Sequence, residues 1–351
     1  MLLHQIKPAS ATSASSLSAI EDASAGTLAQ LPILILDTHT LCNCRCVMCD
    51  IWQRTEGKQL AAATLERHRE SMKNLGVRQV VLTGGEPLLN IELQAICEFF
   101  RDMNIRIRLL TTGLLLHKRA ALVASLVDEV IVSLDGPPEI HDSIRRIPMA
   151  FKTIARGVES VRQLRPELPI ISRTTLQKKN HQHLRATVEA ARSLGLHSIS
   201  FLAADLSSTS FNRDPPWQGE RQDEIALDWL ELQALEAEIE LLIADHQTDI
   251  QTGFIVEKED KLRRLATRFR EHLTNTPPEA PMCNAPWVSA VLEVDGILRP
   301  CFFHPPVAST VQETLEQALN SLAARAFRSQ LDVAANPICQ RCVCSLNYRN
   351  S

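Results

Sequence analysis

Short apolar runs recur along the first two thirds of the chain, at Ile33 to Asp37, Gln79 to Thr83, Ile105 to Thr111, Glu129 to Leu134, Pro169 to Thr175 and His197 to Ala203. Longer stretches with apolar residues at helical spacing separate them, around Thr64 to Leu75, Ile91 to Met103, Leu115 to Val127, Phe151 to Leu164 and His181 to Leu194. Strands joined by helical crossovers predict an α/β fold with a parallel sheet and helices outside. The number of units suits a partial (β/α)6 TIM-like barrel over residues 31–205. In a curved parallel sheet the chemistry sits at the C-terminal strand ends.

From Leu206 to Gly219 the pattern turns irregular, as in a linker or an active-site loop. Two helical segments follow, near Asp223 to Ala244 and Glu257 to His272, and the first places Ile225, Trp229, Leu232, Ile239 and Ile243 near one face. Residues 206–280 therefore form a linker with helices. Pro277, Pro278 and Pro281 then punctuate the chain before a cysteine-bearing region, 281–351, expected to be a small α+β domain. Met1 to Gln30 is rich in Ala and Ser without the apolar core of a secretory signal, and is expected to be a disordered tail.

The 37 basic and 41 acidic side chains give a formal net charge of -4, so no long-range field favours nucleic acid or an anionic membrane. No apolar stretch approaches the roughly twenty residues needed to cross a bilayer. Ten cysteines without an export signal point to metal ligation in a reducing compartment, and the protein is expected to be cytoplasmic and oxygen-sensitive.

The cysteines carry the sharpest signal. Cys42, Cys46 and Cys49 follow the first apolar run in the spacing C-x3-C-x2-C. Three thiolates can hold three corners of a [4Fe-4S] cube and leave one iron open for a ligand. The competing reading is a zinc knuckle, which closes with a fourth ligand. Cys44 is read as a spare thiol packed in the loop, and Cys97 as a small core residue.

The second run ends in Gly84-Gly85-Glu86-Pro87, where paired glycines let backbone approach a ligand and a carboxylate suits a cationic ammonium. The fourth run ends in Ser133-Leu134-Asp135-Gly136, followed by His141-Asp142-Ser143-Ile144-Arg145. With the cysteine triad these motifs resemble the radical S-adenosylmethionine (SAM) superfamily, in the subset with a C-terminal SPASM or twitch domain. The resemblance covers about residues 33–345. It implies that Cys42, Cys46 and Cys49 hold a [4Fe-4S] cluster whose open iron binds SAM. It further implies that Gly84, Gly85, Glu86, Pro87, Ser133, Asp135 and Arg145 contribute to the SAM site, with Thr112 at the end of the third run lining the same pocket.

The spacing Cys283-x12-Gly296-x4-Cys301, then Cys339-x2-Cys342-x-Cys344, is similar to the opening signature of SPASM and twitch domains. Five cysteines suffice for one auxiliary [4Fe-4S] cluster, expected on Cys283, Cys301, Cys339 and Cys342, with one spare; Cys344 is the alternative to Cys342, and a four-cysteine zinc ribbon the alternative to a cluster. Asp205 and His304 are candidate acid or base groups.

The resemblance implies reductive cleavage of SAM to a 5'-deoxyadenosyl radical and hydrogen-atom abstraction from a substrate carbon. The expected substrate is a small biosynthetic metabolite, oxidised with help from the auxiliary cluster, because no leader-peptide-binding domain is expected ahead of Ile33. A one-electron donor such as flavodoxin or ferredoxin is the expected partner, with no nucleic acid and no membrane. The alternatives are a peptide or protein maturase, a redox-neutral decarboxylase, dehydratase or epimerase, and a zinc-binding scaffold without activity.

Overall fold

The computed structural model describes residues 26–276 and 279–349. Most of the expected tail, residues 1–25, and the pair Pro277 and Pro278 lie outside the described residues. The remainder of the expected tail, 26–30, is not free: Leu28 is buried, its N–H donates to Asn320 Oδ1 at 2.8 Å, and Arg328 Nε donates to the Gly26 carbonyl at 2.8 Å. An apolar side chain with a satisfied backbone at this point outweighed the polar composition around it.

Six parallel strands follow in chain order: β1 (Ile33–His39), β2 (Gln79–Gly84), β3 (Arg106–Thr111), β4 (Glu129–Ser133), β5 (Ile170–Leu176) and β6 (Ile199–Ala203). Helices α1 (Arg69–Asn74), α2 (Leu93–Asp102), α3 (Leu116–Leu126), α4 (Pro138–Arg145), α5 (Ala150–Leu164) and α6 (Leu184–Ser193) make the crossovers. The strands are apolar on both faces because both are covered. On β1, Leu34 and Leu36 join the core under the helices, whereas Ile33 and Ile35 face inward with Val81 of β2. The sheet is not closed, as a partial barrel requires.

α7 (Trp229–Asp245) and α8 (Glu259–Thr274) pack behind β6. α7 opens on a capping box between Asp228 and Glu231, so Trp229 falls in its first turn and is 52% exposed rather than on the buried face. Leu232, Leu235, Ile239 and Leu242 carry that face instead.

The C-terminal region extends the same sheet. β7 (Ser289–Leu292) pairs parallel with β1, and β8 (Ile297–Arg299) and β9 (Ala308–Ser309) add antiparallel strands, giving the order β6-β5-β4-β3-β2-β1-β7-β8-β9. β1 is therefore central, with a barrel strand on one side and the cysteine-bearing region on the other. α9 (Leu315–Leu319) then packs on α1, where the Leu315 N–H donates to His68 Nδ1 at 3.2 Å. No helix among the described residues is long and apolar enough to cross a membrane.

Candidate active site

The loop carrying Cys42, Cys44, Cys46 and Cys49 leaves the C-terminal end of β1, where the fold collects its loops. Neighbouring elements fix it from several sides. The Arg45 and Val47 N–H groups donate to the carbonyls of Arg145 and Ile144 at 3.1 and 3.0 Å, so the last turn of α4 supplies acceptors for the loop. Thr112 Oγ1 donates to Asn43 Oδ1 at 2.9 Å. Cys44 and Cys46 are buried, while Cys42 and Cys49 are partly open.

Within the loop the Cys44 thiol contacts both Cys42 and Cys46, which together with burial pushes it well above the ordinary thiol range. The same contact, reinforced by the Arg145 guanidinium, draws Cys46 down to about 6 against the opposing effect of burial. Arg145 Nη1 donates to the Cys46 sulfur at 3.4 Å. Burial, with the nearby Cys46 and Cys42 sulfurs, raises Cys49 to about 12. Three thiols on one loop, beside a buried cation that favours thiolate, make a donor set that fits a cluster with one open corner. Among the described residues no group of three or more His, Cys, Asp or Glu converges as a single metal ion would require; the thiolates of a cube sit on separate irons.

The Gly84-Gly85-Glu86-Pro87 motif packs against the entry to the cysteine loop. A Cβ on Gly84, at φ +122°, would lie 2.5 Å from the His39 carbonyl oxygen, and one on Gly85 would lie 2.1 Å from that of Leu41. The glycines thus admit the backbone entering the cysteine loop, sealed by bonds from Gly85 N–H to His39 O at 2.7 Å and Glu86 N–H to Leu41 O at 2.9 Å. The Glu86 carboxylate, expected on a ligand ammonium, is wholly buried. It accepts from Thr111 Oγ1 and Thr112 N at 2.7 Å and from Leu88 N at 3.0 Å. Burial still pushes its pKa up. Its work is to tie the ends of β2 and β3 together beside the cysteines.

Arg145 is likewise engaged inside the protein. The fork expected on a ligand carboxylate meets Asp135, with Nη2 2.6 Å from Oδ2, and the Cys46 sulfur. Burial opposes the charge on Arg145, yet Asp135 and Cys46 hold it above its ordinary range. Asp135 is itself fully buried; its Oδ1 accepts from Thr175 N at 2.9 Å and its carbonyl from Asn180 Nδ2 at 2.9 Å. Asp135 and Arg145 therefore join β4, β5 and α4 to the loop. Ser133 ends β4 on the lumenal face, in register with Arg173 of β5.

The irregular segment after β6 clamps the opposite side of the loop. Arg213 Nη2 donates to the Met48 carbonyl at 2.7 Å and Arg221 Nη2 to that of Val47 at 2.6 Å. The two guanidinium groups flank the Trp217 ring, 3.6 and 4.2 Å from its centroid, and Trp217 Nε1 donates to Asp50. Ser210 Oγ donates to the Phe302 carbonyl at 2.7 Å, next to Cys301, so one segment touches both cysteine regions. Asp205, a candidate acid or base, is committed here: Oδ2 lies 2.9 Å from Arg213 Nη1, buried on both sides. Residue-by-residue reading missed this clamp; its one local trace is the spacing of Arg213, Trp217 and Arg221 at every fourth residue.

All five C-terminal cysteines, Cys283, Cys301, Cys339, Cys342 and Cys344, line one cavity of about 580 Å³, open mouth included, against Ile35 of β1. Burial raises Cys301 to about 12 and Cys339 to about 11. An apolar cavity ringed by thiols fits one four-ligand cluster with a fifth cysteine to spare. His304, the other candidate acid or base, faces this cavity and not the barrel mouth. It is 2% exposed, packs edge-on to Phe327, and places Nε2 3.3 Å from the Cys339 sulfur. Burial lowers its pKa.

Comparison with known proteins covers both cysteine regions. Residues 38–197 match the radical SAM superfamily and residues 283–343 match SPASM, an iron-sulfur cluster-binding domain. The AdoMet-dependent heme synthase of Methanosarcina barkeri is 28% identical over 233 residues, 64% of this chain and 58% of that protein. A probable GTP 3',8-cyclase of Methanococcus maripaludis is 35% identical over 127 residues, 35% of this chain and 40% of that protein. The chain thus spans about half the length of these curated relatives. Among solved structures, anSMEcpe with bound AdoMet and a peptide superposes with a TM-score of 0.64 at 16% identity, covering 89% of this chain and 88% of that one. SuiB of Streptococcus suis bound to precursor peptide SuiA gives 0.63 at 12%, covering 92% and 73%. The chain belongs to the radical SAM superfamily and carries, after the barrel, a SPASM domain of the iron-sulfur cluster-binding kind.

Proposed function

We propose that the protein oxidises a small biosynthetic metabolite by hydrogen-atom abstraction. Cys42, Cys46 and Cys49 would hold the SAM-binding cluster, and Cys283, Cys301, Cys339 and Cys342 one auxiliary cluster, with Cys344 the spare thiol. The observation that carries this reading is that β1 serves both sites: its C-terminal end feeds the triad, and its Ile35 lines the cavity of the other cysteines. When bound, the first cluster would supply the electron for reductive cleavage of SAM, and the second would accept one electron from the substrate side.

The protein's own groups do the rest. Arg145 and Asp135 hold Cys46 in place and favour its thiolate. The Gly84 to Pro87 turn keeps the loop against the strand ends, and its residues would line the SAM site while the Glu86 carboxylate holds Thr111 and Thr112. Thr112 and Ser133 would line the SAM pocket from β3 and β4. A one-electron donor of the flavodoxin or ferredoxin class would deliver reducing equivalents.

Relatives recognisable in sequence are named for heme, Fe-coproporphyrin and GTP chemistry, which favours a small molecule. A peptide substrate is the second reading, supported by the fold shared with SuiB and anSMEcpe. An extract from deuterium-grown cells separates the two. Deuterium transfer into 5'-deoxyadenosine that survives protease treatment of the extract supports the metabolite; transfer abolished by protease supports the peptide.

A further inference from the structure

Arg173 lies on β5 in register with Ser133 of β4 and Ser200 of β6. It is 7% exposed, and its Nε and Nη2 atoms, the side-on edge that pairs with planar oxyanions, have no hydrogen-bond partner among the described residues. A buried polar group of this kind calls for an explanation, because an uncompensated buried cation is costly. The acidic groups that act on it are the Cys344 thiol, which also shares a hydrogen bond with the guanidinium, and Glu257, so Cys344 compensates the charge in part and leaves the Nε and Nη2 edge to be matched. Glu257 is engaged elsewhere, accepting from Ser200 Oγ at 2.8 Å and Phe201 N at 2.9 Å and pairing with Lys261. Arg108, on the same face of β3, already pairs with Glu129. Burial lowers Arg173 to about 10, so it remains charged at neutral pH.

The lumen beneath it is apolar. Ile171 precedes Arg173 by two residues on the same face and forms a separate buried cluster with Ile131, against which the partly buried Leu110 and Val256 pack. We propose that Arg173 anchors an oxyanion of the substrate, a carboxylate or a phosphate, whose apolar part rests on Leu110, Ile131, Ile171 and Val256. This rests on the reading that the lumen is the reaction chamber, and it narrows the substrate to an amphiphilic anion. The anchor lies on the strand face of Ser133, so an anion held there would set which substrate carbon faces the radical.

The test uses reconstituted full-length protein and saturation-transfer NMR with butyrate and methyl phosphate as probes and butyramide as the neutral analogue. Wild type should bind at least one charged probe and not butyramide; preference for butyrate identifies a carboxylate, preference for methyl phosphate a phosphate. Arg173→Gln should weaken that binding by roughly tenfold or more, and Arg173→Lys should retain part of it. Charged probes that bind Arg173→Gln as well as wild type, or that fail to bind wild type, overturn the proposal. SAM affinity is measured in parallel. An equal loss for SAM in Arg173→Gln would assign the anion to SAM itself and also overturn the proposal, whereas wild type that binds the probes but not SAM would sink the radical reading and leave the anion site standing.

Discussion

The Arg145 guanidinium lies 3.4 Å from the Cys46 sulfur and also grips Asp135, so one buried side chain connects the cysteine loop to the strands behind it. Arg145→Met would remove the cation beside the thiolate and leave Asp135 buried without its partner. We expect a loss of about 3–5 kcal/mol in stability and a fall in iron at the N-terminal site. Asp135→Asn in the same chain should recover much of the stability and none of the iron. Denaturant unfolding and iron analysis check both; full iron in the single variant would show that Arg145 is dispensable to the loop.

Glu86→Gln would place an amide nitrogen among donors. Thr112 N–H now points at a carboxylate oxygen, and a buried donor left unmatched costs about 1–3 kcal/mol. The expected outcome is a lower unfolding midpoint, with SAM affinity falling only as far as the site loosens. A loss of SAM binding in a variant of unchanged stability would return Glu86 to direct ligand contact.

His304→Phe should alter the auxiliary cluster without dissolving it. The imidazole Nε2 at 3.3 Å from Cys339 can donate to a sulfur, and hydrogen bonds to cluster sulfurs tune the potential. Removing the donor should lower the midpoint of the auxiliary cluster in EPR-monitored titration and leave the SAM cluster unmoved. An unchanged midpoint would reduce His304 to packing.

Asp37 links pH to stability. Burial, with Glu293 close by, raises its carboxyl to about 7, far above an unfolded Asp near 4. The folded chain then binds the extra proton between those values, so the contribution of Asp37 to stability is full below about pH 4 and is lost as pH rises through about 7. Thermal unfolding from pH 5 to 8 should show a steeper decline for wild type than for Asp37→Asn. Parallel curves would refute the buried proton.

The strand order was legible because each parallel strand is a short apolar run bounded by turn residues, and the structure places each within about two residues of its run. α4 was not read as a helix: it starts at a proline pair and carries only eight residues, too few for a periodic signal. The cysteine sets were legible as spacings. Their surroundings were not, since Arg213 meets Met48 from 165 residues away and β7 reaches β1 across the whole barrel, and local patterns carry no record of such pairings. For the same reason the internal partners of Glu86 and Arg145, placed at the SAM site by motif resemblance, and of Asp205 and His304, read as candidate acid or base groups, were not legible: Thr111, Asp135, Arg213 and Cys339 respectively.

The most direct measurement of the central claim is 5'-deoxyadenosine release from SAM by anaerobically reconstituted, dithionite-reduced protein, beside a Cys42/Cys46/Cys49 triple-alanine variant. The account predicts release from wild type and none from the variant, which should still keep about four irons per chain in its C-terminal cavity. Release that persists without the triad, or its absence from protein holding full iron and supplied with substrate, would contradict it.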